Sequence, residues 1–435
     1  MEKIIANAQF DEERALYHLT DTRVENCRFE GPADGESALK EARNICVADC
    51  NFSLRYPLWH VEGFALEGCA MDEKARAAIW YAKNGRITGS TLGGIKALRE
   101  CENIALKDSS VISQEFGWKC KNITLEDTSV QAEYLFFDSR DVTLDRVQMK
   151  GKYSFQYIEN LTIRDSYLDT KDAFWHSKNI TVINSTVKGE YLAWFSEGLT
   201  LIDCHIIGTQ PLCYCKDLKL VNCTMDDKTR AAIWYSDEGM ITNSRLGGIK
   251  ALRECRNVAI ESSTIESLEF GWKCRNITLK DSSVTAEYLF LDSADVELER
   301  VRMKGKYSFQ YMENLTIRDS YLDTKDAFWH SKNVTVVNST LKGEYLAWFS
   351  EGLTLINCHI IGTQPLCYCK DLKLVNCTME GTDLSFEYSD VEAEVGGHIL
   401  SVKNPRSGRI VADSVGEVIM TDDVVMECAG QVMIR

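Results

Sequence analysis

One pair of side chains has the types and spacing needed for acid–base chemistry, and it occurs twice in the chain. Asp172 lies four residues before His176, and Asp326 lies four residues before His330, within the identical stretches 159–179 and 313–333. A histidine near a carboxylate can act as a general base. These four residues are therefore the catalytic candidates, although a lone histidine on a surface is more often only a surface residue.

Longer catalytic motifs are missing from the sequence. Inverting glycoside hydrolysis needs two carboxyl groups that face each other across the scissile bond, and the NxD, DD and GHG pattern of polygalacturonases is absent. A calcium-dependent lyase needs clustered acids and an arginine base. Asp172, Glu190 and Arg99 are the nearest such set, but they lie among lysines that would repel the ion. We therefore predict no catalytic activity, no cofactor and no metal site.

The 17 cysteines include two Cys-Tyr-Cys motifs, at Cys213 to Cys215 and at Cys367 to Cys369. No CxxC pair accompanies them, and no histidines follow at zinc-finger spacing. An odd count without an export signal indicates reduced thiols. We interpret the cysteines as small buried side chains.

The net charge of −16 argues against nucleic acid and anionic membranes as partners, because both bind basic patches. No long apolar run follows the first residues. We therefore predict neither a signal peptide nor a transmembrane segment, and we expect a cytoplasmic location.

Six 19-residue units fill the stretch from 104 to 217, and they provide the framework for these side chains. They begin IALKDSSV, ITLEDTSV, VTLDRVQM, LTIRDSYL, ITVINSTV and LTLIDCHI. Positions 1, 3 and 8 are mostly aliphatic and position 6 is small or branched, which is typical of two half-buried strands. Most units end in Asp or Asn, which favours a turn. Helical repeats exceed about 30 residues, so the pattern predicts one coil of a parallel β-helix per unit.

Extending this pattern outward predicts an all-β protein with a single-stranded, right-handed parallel β-helix, or β-solenoid, of about 19 coils. The right-handed sense follows from the usual chirality of parallel crossovers. The predicted β-helix covers 23–390, with an N-terminal cap at 1–22 and a C-terminal β cap at 391–435. We expect one continuous rod about 90 Å long, at about 4.8 Å per coil, without a hinge near 217/218.

The block 64–217 recurs as 218–371 and is identical at 118 of 154 positions. Within the block, the first coil at 64–85 is predicted to be longer than the 19-residue unit and the second at 86–103 to be shorter. The block is thus a whole number of coils, so its repetition keeps inward side chains inward. Stacked arrays tolerate such insertions because each coil contacts only its neighbours.

Positions 10–17 of the 19-residue coils form what we call the mixed face, which is residues 113–120 and the equivalent eight residues of each later coil. Between the two copies it differs at 3 of 48 places, whereas the other positions differ at 19 of 66. Its cations, carboxylates and rings suit a sugar, whose C–H surfaces stack on rings and whose hydroxyls bind charged groups. The ligand-binding candidates on this face and in the coils before it are Lys96, Arg99, Glu115, Trp118, Glu133, Tyr134, Lys152, Tyr153, Tyr157, Lys171, Trp175, Glu190, Tyr191, Trp194, Lys250, Arg253, Glu269, Trp272, Glu287, Tyr288, Lys306, Tyr307, Tyr311, Lys325, Trp329, Glu344, Tyr345 and Trp348.

An aromatic ladder is the competing interpretation of the mixed face. Rings stacked in successive coils stabilise a β-helix, and Glu–Lys neighbours on adjacent strands add to it. We favour the ladder over the ligand groove.

Several motifs resemble a bacterial family of unknown function. They include RALYHLTD (14–21), LRYPLWH (54–60), MKGKYSFQY (149–157), DTKDAFWH (169–176) and IIGTQPLCYCK (206–216). The resemblance covers essentially the whole chain and implies a pectin-lyase-like right-handed β-helix. It implies no catalytic residues, because the family has no established activity.

Members of that family resemble this chain with one 154-residue block removed. A second, near-identical block inserted in coil register is typical of an engineered tandem duplication, and a natural duplication is the alternative. We predict an elongated structural scaffold that is monomeric or self-associates weakly. The alternative is a carbohydrate-binding or polysaccharide-cleaving protein, either a lyase or a glycoside hydrolase, that uses the mixed face.

Overall fold

The computed structural model describes residues 3–30 and 36–435. It is an all-β parallel β-solenoid of about 22 turns, which confirms the predicted fold class. The chain divides into two compact units, Met1–Lys219 and Leu220–Arg435. One 3-10 turn at Glu73–Ala75 is the only helical element of the described ranges, and none of their helices is long and apolar enough to cross a membrane.

Each coil carries two or three short strands, one for each face of the solenoid. The strands of the first face are Lys3–Ala6, Thr20–Glu25, Arg43–Ala48, Glu62–Glu67, Lys83–Thr88, Glu102–Lys107, Lys121–Glu126, Arg140–Asp145, Glu159–Arg164, Lys178–Ile183, Glu197–Ile202, Lys216–Val221, Asp237–Thr242, Arg256–Glu261, Arg275–Lys280, Ala294–Glu299, Glu313–Arg318, Lys332–Val337 and Glu351–Ile356. The strands of the second face, some of which continue into the third, are Gln9–Phe10, Arg28–Glu30, Asn51–Ser53, Ala70–Met71, Thr91–Leu92, Ser110–Phe116, Ser129–Leu135, Gln148–Ser154, Tyr167–Asp169, Thr186–Lys188, His205–Ile207, Thr224–Met225, Arg245–Arg253, Thr264–Trp272, Ser283–Thr285, Arg302–Gly305, Tyr321–Thr324, Thr340–Lys342 and His359–Ile361.

The third face is the mixed face, together with the equivalent residues of the coils before it. Its separate strands are Ile79–Trp80, Leu98–Arg99, Asp172–Ala173, Tyr191–Leu192, Ala231–Trp234, Tyr288–Leu289 and Tyr307–Ser308. The C-terminal coils contain the longer strands Leu372–Glu380, Asp390–Lys403, Ser407–Ile419 and Gln431–Ile434.

Neighbouring coils pair in parallel with the predicted 19-residue register. Ile104 pairs with Ile123 and Val111 pairs with Val130, and all four side chains are at most 3 % exposed. Burying an aliphatic side chain of this size contributes roughly 1.5–3 kcal/mol. The alternation of apolar and polar residues read from the sequence therefore places the core correctly.

Residues with positive φ bend each 19-residue coil at positions 5, 14, 16 and 19, and a few coils have further ones. In the coil that begins at residue 123 they are Asp127, Phe136, Asp138 and Asp141, with φ between 48° and 57°. Asp and Asn tolerate this left-handed conformation best. The position-19 corners are also linked between coils, since the Asn160 amide donates to Asp141 Oδ1 at 2.9 Å.

The left-handed residue at position 14 explains a feature that the sequence pattern missed. Its bend turns two consecutive side chains of the third face inward, so that Phe136, Phe155 and Phe174 lie in the core. Phe155 and Phe174 stack with their ring centroids 5.3 Å apart. The predicted inward cysteines are confirmed, because those at positions 6 and 17 are all buried thiols.

The number of coils exceeds the predicted 19 because parallel pairing extends into both predicted caps. Lys3–Ala6 pairs with Thr20–Glu25, and Asp390–Lys403 pairs with Ser407–Ile419. The predicted boundary between coils at 85/86 is wrong by one residue, since Gly85 pairs with Phe64 at position 1. Only glycine fits there, because a Cβ would lie 2.1 Å from the Phe64 ring.

Candidate functional site

The outward side chains of the mixed face come from positions 11, 12, 15 and 16. In the coil that contains the candidate acid–base pair, Lys171 and His176 are exposed and Trp175 is half-buried. Ala173 and Phe174 between them are fully buried. The structure thus brings the sequence-predicted residues of each coil to one surface, in four columns that run from coil to coil.

In the Met1–Lys219 unit, the charged candidates pair with one another between neighbouring coils. Lys152 Nζ lies 3.2 Å from Glu133 Oε1, and Lys171 Nζ lies 3.8 Å from Glu190 Oε2. In the preceding coils, Lys96 and Glu115 form a backbone β-bridge. The side-chain carboxylate of Glu115 lies 3.4 Å from the Arg99 guanidinium. That guanidinium also lies over the Trp80 and Trp118 rings.

The Leu220–Arg435 unit repeats the same arrangement. The carboxylates of Glu269, Glu287 and Glu344 lie 3.1–3.3 Å from the ammonium groups of Lys250, Lys306 and Lys325, respectively. The Arg253 guanidinium lies between the Trp234 and Trp272 rings, 5.2 and 5.7 Å from their centroids. Each pair is exposed or half-buried, so it contributes about 0–1 kcal/mol to stability.

The aromatic candidates also contact one another. Trp175 and Trp194 stack with a centroid distance of 5.8 Å and an interplanar angle of 3°, and Tyr134 and Tyr153 stack at 5.1 Å. The corresponding contacts in the second unit are Trp329 with Trp348 at 5.6 Å and Tyr288 with Tyr307 at 4.9 Å. These distances are those of stacked rings, so the predicted ladder geometry is present.

A column of rings at position 16 was only partly recognised from the sequence. It contains Tyr157, His176, Phe195 and Tyr214, with successive centroids 5.3, 5.0 and 4.7 Å apart. Tyr311, His330, Phe349 and Tyr368 repeat it in the second unit. The available signal was the 19-residue spacing of aromatic residues directly after the position-15 tryptophans.

Asp172 and Asp326 differ from the other charged residues of the mixed face. Each is only 8 % exposed, and Oδ1 of each is buried without a hydrogen-bond partner. Burial raises the pKa of both carboxyl groups; Lys171 or Lys325 opposes that shift, and Glu190 or Glu344 adds to it.

The catalytic candidates do not form an acid–base pair. His176 is stacked between the rings of Tyr157 and Phe195, and within the described residues no hydrogen bond joins it to Asp172. The same ring stacking holds His330. Nor do the described ranges contain a cluster of three or more His, Cys, Asp or Glu side chains that could hold a metal ion.

A groove of about 520 Å³ borders the mixed face in the Met1–Lys219 unit. Ile95, Ile112, Lys150 and Lys152 are among the residues that line it, and both isoleucines are exposed. Sequence reasoning missed this groove. The available signal was the aliphatic Ile112 at position 9, which points outward.

Comparison with known proteins gives two matches to one family model and several structural likenesses. The model described as "Protein of unknown function (DUF3737)" matches residues 3–230 and again residues 223–433. No curated protein matches the chain. The two family matches agree with the internal duplication read from the sequence.

Three solved structures illustrate the structural likenesses. The PL6 family alginate lyase AlyGC aligns with a TM-score of 0.34 and 8 % identity, over 99 % of this chain and 96 % of its own. PfbA, a surface adhesin of Streptococcus pneumoniae, aligns with a TM-score of 0.22 and 11 % identity over 84 % of both chains. An exopolygalacturonase from Thermotoga maritima aligns with a TM-score of 0.20 and 10 % identity, over 77 % of this chain and 83 % of its own. TM-scores this low do not support any inference about the function of this chain.

Proposed function

We propose that this chain, which belongs to the DUF3737 family of proteins of unknown function, is a β-solenoid scaffold without catalytic activity. The observation that carries the proposal is that the mixed face makes its contacts with itself. Its carboxylates pair with cations of neighbouring coils, and its rings stack on one another. Few of its groups are left to act on a substrate.

The spacing of the rings supports a structural role for this face. Successive rings at position 16 lie about 5 Å apart and nearly parallel, so within the column each ring covers a face of the next. A sugar stacks on the face of a ring rather than on its edge. Each stacked pair contributes about 0.5–1.5 kcal/mol beyond its buried area, which favours a ladder that holds the coils together.

We also propose that the second block is an engineered tandem duplication, with natural duplication as the alternative. Its insertion as a whole number of coils leaves the core unchanged, and the two family matches support it. The buried thiols suit a reducing cytoplasmic environment, and the charge of −16 disfavours nucleic acids and membranes as partners. Within this proposal the protein is monomeric or self-associates weakly.

A glycan-cleavage screen tests the scaffold proposal. The protein is incubated with uronic-acid and neutral polysaccharides, and released ends are measured. We expect no product from either class. Product release that disappears in the Asp172→Asn, Asp326→Asn variant would overturn the proposal in favour of a lyase or hydrolase.

Carbohydrate binding without cleavage is the second candidate function. It is favoured by the exposure of Tyr157 and Tyr311, which are 51 % and 57 % exposed and end their ring columns. Among the described residues no further ring of the same column is stacked on the outer face of either tyrosine, although Phe137 lies edge-on against Tyr157, with ring centroids 5.6 Å apart. Glycan binding that is lost in the Tyr157→Ala, Tyr311→Ala variant would support this candidate, and unchanged binding would contradict it.

A further inference from the structure

The groove of about 520 Å³ beside the mixed face is lined mainly by three neighbouring strands. These are Ser110–Phe116, Ser129–Leu135 and Gln148–Ser154. Position 10 of each strand forms the floor of the groove with the small residues Ser113, Ala132 and Gly151. Positions 9 and 11 point outward and form its two rims. The groove therefore follows from the alternation along each strand, because small residues occupy the position between the rims.

Gly151 keeps the floor of the groove open. A Cβ atom at this position would lie 2.7 Å from Ser154 Oγ and 2.8 Å from Leu135 Cδ1, so a larger residue does not fit. A second groove of about 370 Å³, lined by Ser129 and Val130 among others, lies on the other side of the position-9 rim. The volume of the first groove is within the roughly 300–1,000 Å³ that is typical of small-molecule sites.

One end of the groove is apolar. Ile112 on the position-9 rim is 62 % exposed, and Ile95, in the preceding coil, is 43 % exposed. Exposed aliphatic side chains that line a groove are typical of a binding surface for an apolar group. Covering them removes apolar area from water, and the gain in free energy is proportional to that area. This end therefore suits a hydrocarbon chain.

The other end of the groove is cationic. Lys150 and Lys152 point outward, one on each rim. Lys152 pairs with Glu133 at 3.2 Å, but Lys150 makes no ion pair with any described residue. Asp169 aligns with Lys150 in the next coil, and it is already paired with Lys188 at 3.1 Å. The ammonium group of Lys150 is therefore available to an anion.

The spacing of the two ends suits an aliphatic acid. Ile112 aligns with Gln131 and Gln131 aligns with Lys150, so two coil steps, or about 10 Å, separate the isoleucine from the lysine. A carboxylate held by Lys150 thus leaves an extended hydrocarbon chain over Ile112 and, one step further, Ile95. Glu73 lines the apolar end and repels a carboxylate placed there, which fixes the orientation of the ligand.

The second unit changes the rims at the apolar end but keeps the floor and the lysines. The retained residues are Ser267, Ala286, Gly305, Lys304 and Lys306. Glu266 replaces Ile112, and its carboxylate lies 2.7 Å from the Arg245 guanidinium. On the opposite rim Leu268 replaces Gln114. A hydrocarbon chain here would desolvate an ion pair, which is costly, so the second unit is an internal negative control.

We propose that the groove of the Met1–Lys219 unit binds an unbranched aliphatic carboxylate, with the carboxylate on Lys150 and the hydrocarbon chain over Ile112 and Ile95. Each protein chain binds one such ligand, because Glu266 excludes it from the second unit. This site goes beyond the scaffold role, and the glycan-cleavage screen tests that role separately.

Calorimetric titration with octanoate tests the proposal directly. Acetate has the same head group without the chain, and octan-1-ol has the chain without the charge. We expect one bound octanoate per protein chain, no measurable binding of acetate, and affinity for octan-1-ol that is lower by about tenfold or more. From hexanoate to octanoate the affinity should rise about two- to threefold per methylene group. No octanoate binding, two equal sites, equal affinity for the alcohol, or no gain with chain length would overturn the proposal.

Ile112→Glu gives the first unit the residue of the second unit. It should weaken octanoate binding about tenfold or more, because it removes apolar surface and adds a like charge. The matched control is Ile249→Glu, which places the same charge on an exposed isoleucine of the second unit and should leave binding unchanged. Equal losses in both variants would show a general charge effect and contradict the site.

Lys150→Met keeps the approximate length of the side chain and removes its charge. It should weaken octanoate binding about tenfold and leave octan-1-ol binding unchanged. Lys304→Met makes the same change in the second unit and should affect neither ligand. If Lys150→Met weakened the binding of both ligands equally, the lysine would act only through packing, which would contradict its role as the partner of the carboxylate.

The reciprocal variant should add a site. Glu266→Ile with Arg245→Thr gives the second unit the residues that the first unit carries at Ile112 and Thr91, so the stoichiometry should rise from one octanoate per protein chain to two. A stoichiometry that stays at one in the folded variant would contradict the selective role of Ile112. Circular dichroism of each variant confirms that the fold is retained.

Discussion

The position-16 and position-12 columns of the mixed face differ in continuity, although they lie on the same coils. Tyr157, His176, Phe195 and Tyr214 stack without a break. In the other column Asp172 interrupts the tyrosines. An unbroken column uses its ring faces to join coils, whereas the broken column has a buried carboxyl group between two tyrosines.

Removing a tryptophan beside the break should have the largest effect on stability. Trp175→Ala and Trp329→Ala each remove a ring stacked on another tryptophan and a hydrogen bond to the next coil. We expect each change to lower the free energy of unfolding by about 1–3 kcal/mol. Thermal melts measure the effect, and unchanged stability would contradict the ladder.

A break introduced into the continuous column should have a smaller effect. His176→Ala and His330→Ala each remove a ring between two others, so each should lower stability by about 0.5–1.5 kcal/mol. Thermal melts of the two variants measure the loss, and unchanged stability would contradict a contribution of the stacked column.

Protonation of the two aspartates should change the stability of the fold less than either ring deletion does. Burial raises the pKa of Asp172 and Asp326, so the folded state binds protons more tightly than the unfolded state does. The stability this contributes is fully present below the ordinary aspartate pKa of about 4 and is lost as pH rises through the raised folded pKa. Lys171, in the same coil, opposes this rise in the pKa of Asp172, and Glu190, in the next coil, adds to it.

The Asp172→Asn, Asp326→Asn variant measures this pH effect. The stability of the variant minus that of the unaltered protein should be lower near pH 3.5 than at pH 7, because only the aspartates gain stability on protonation. Thermal melts at the two pH values give the difference. A variant whose relative stability does not change with pH would contradict the burial of these carboxyl groups in the folded state.

The sequence predicted the coils wherever the 19-residue template held. Aliphatic residues such as Ile104 and Val111 fix the register, and the inward cysteines follow from it. The template does not extend to the first coil, because Lys3 occupies position 1 there, where the template requires an aliphatic residue. The last coils were missed because Asp390 pairs with Ser407, a spacing shorter than the 19-residue repeat.

The residue types of the candidate site could be predicted from the sequence, but the burial of Asp172 could not. Tyr153, Trp175 and Tyr191 are binding candidates from the sequence alone, and Asp172 is a catalytic candidate. The burial of the Asp172 carboxyl group depends on the left-handed bend at Phe174 and on the direction of the Trp175 indole, which sequence spacing does not specify. The continuous rod without a hinge near 217/218 stays a prediction.

Making the position-12 column continuous is the most direct test of the central claim that the mixed face is a self-contained ladder except where the aspartate interrupts it. The Asp172→Tyr, Asp326→Tyr variant gives each interrupted position the residue type of its neighbours in the column. Thermal melts of this variant, compared with the unaltered protein, should show stability raised by about 0.5–1.5 kcal/mol per added stack. A folded variant whose stability is unchanged or lower would contradict the claim.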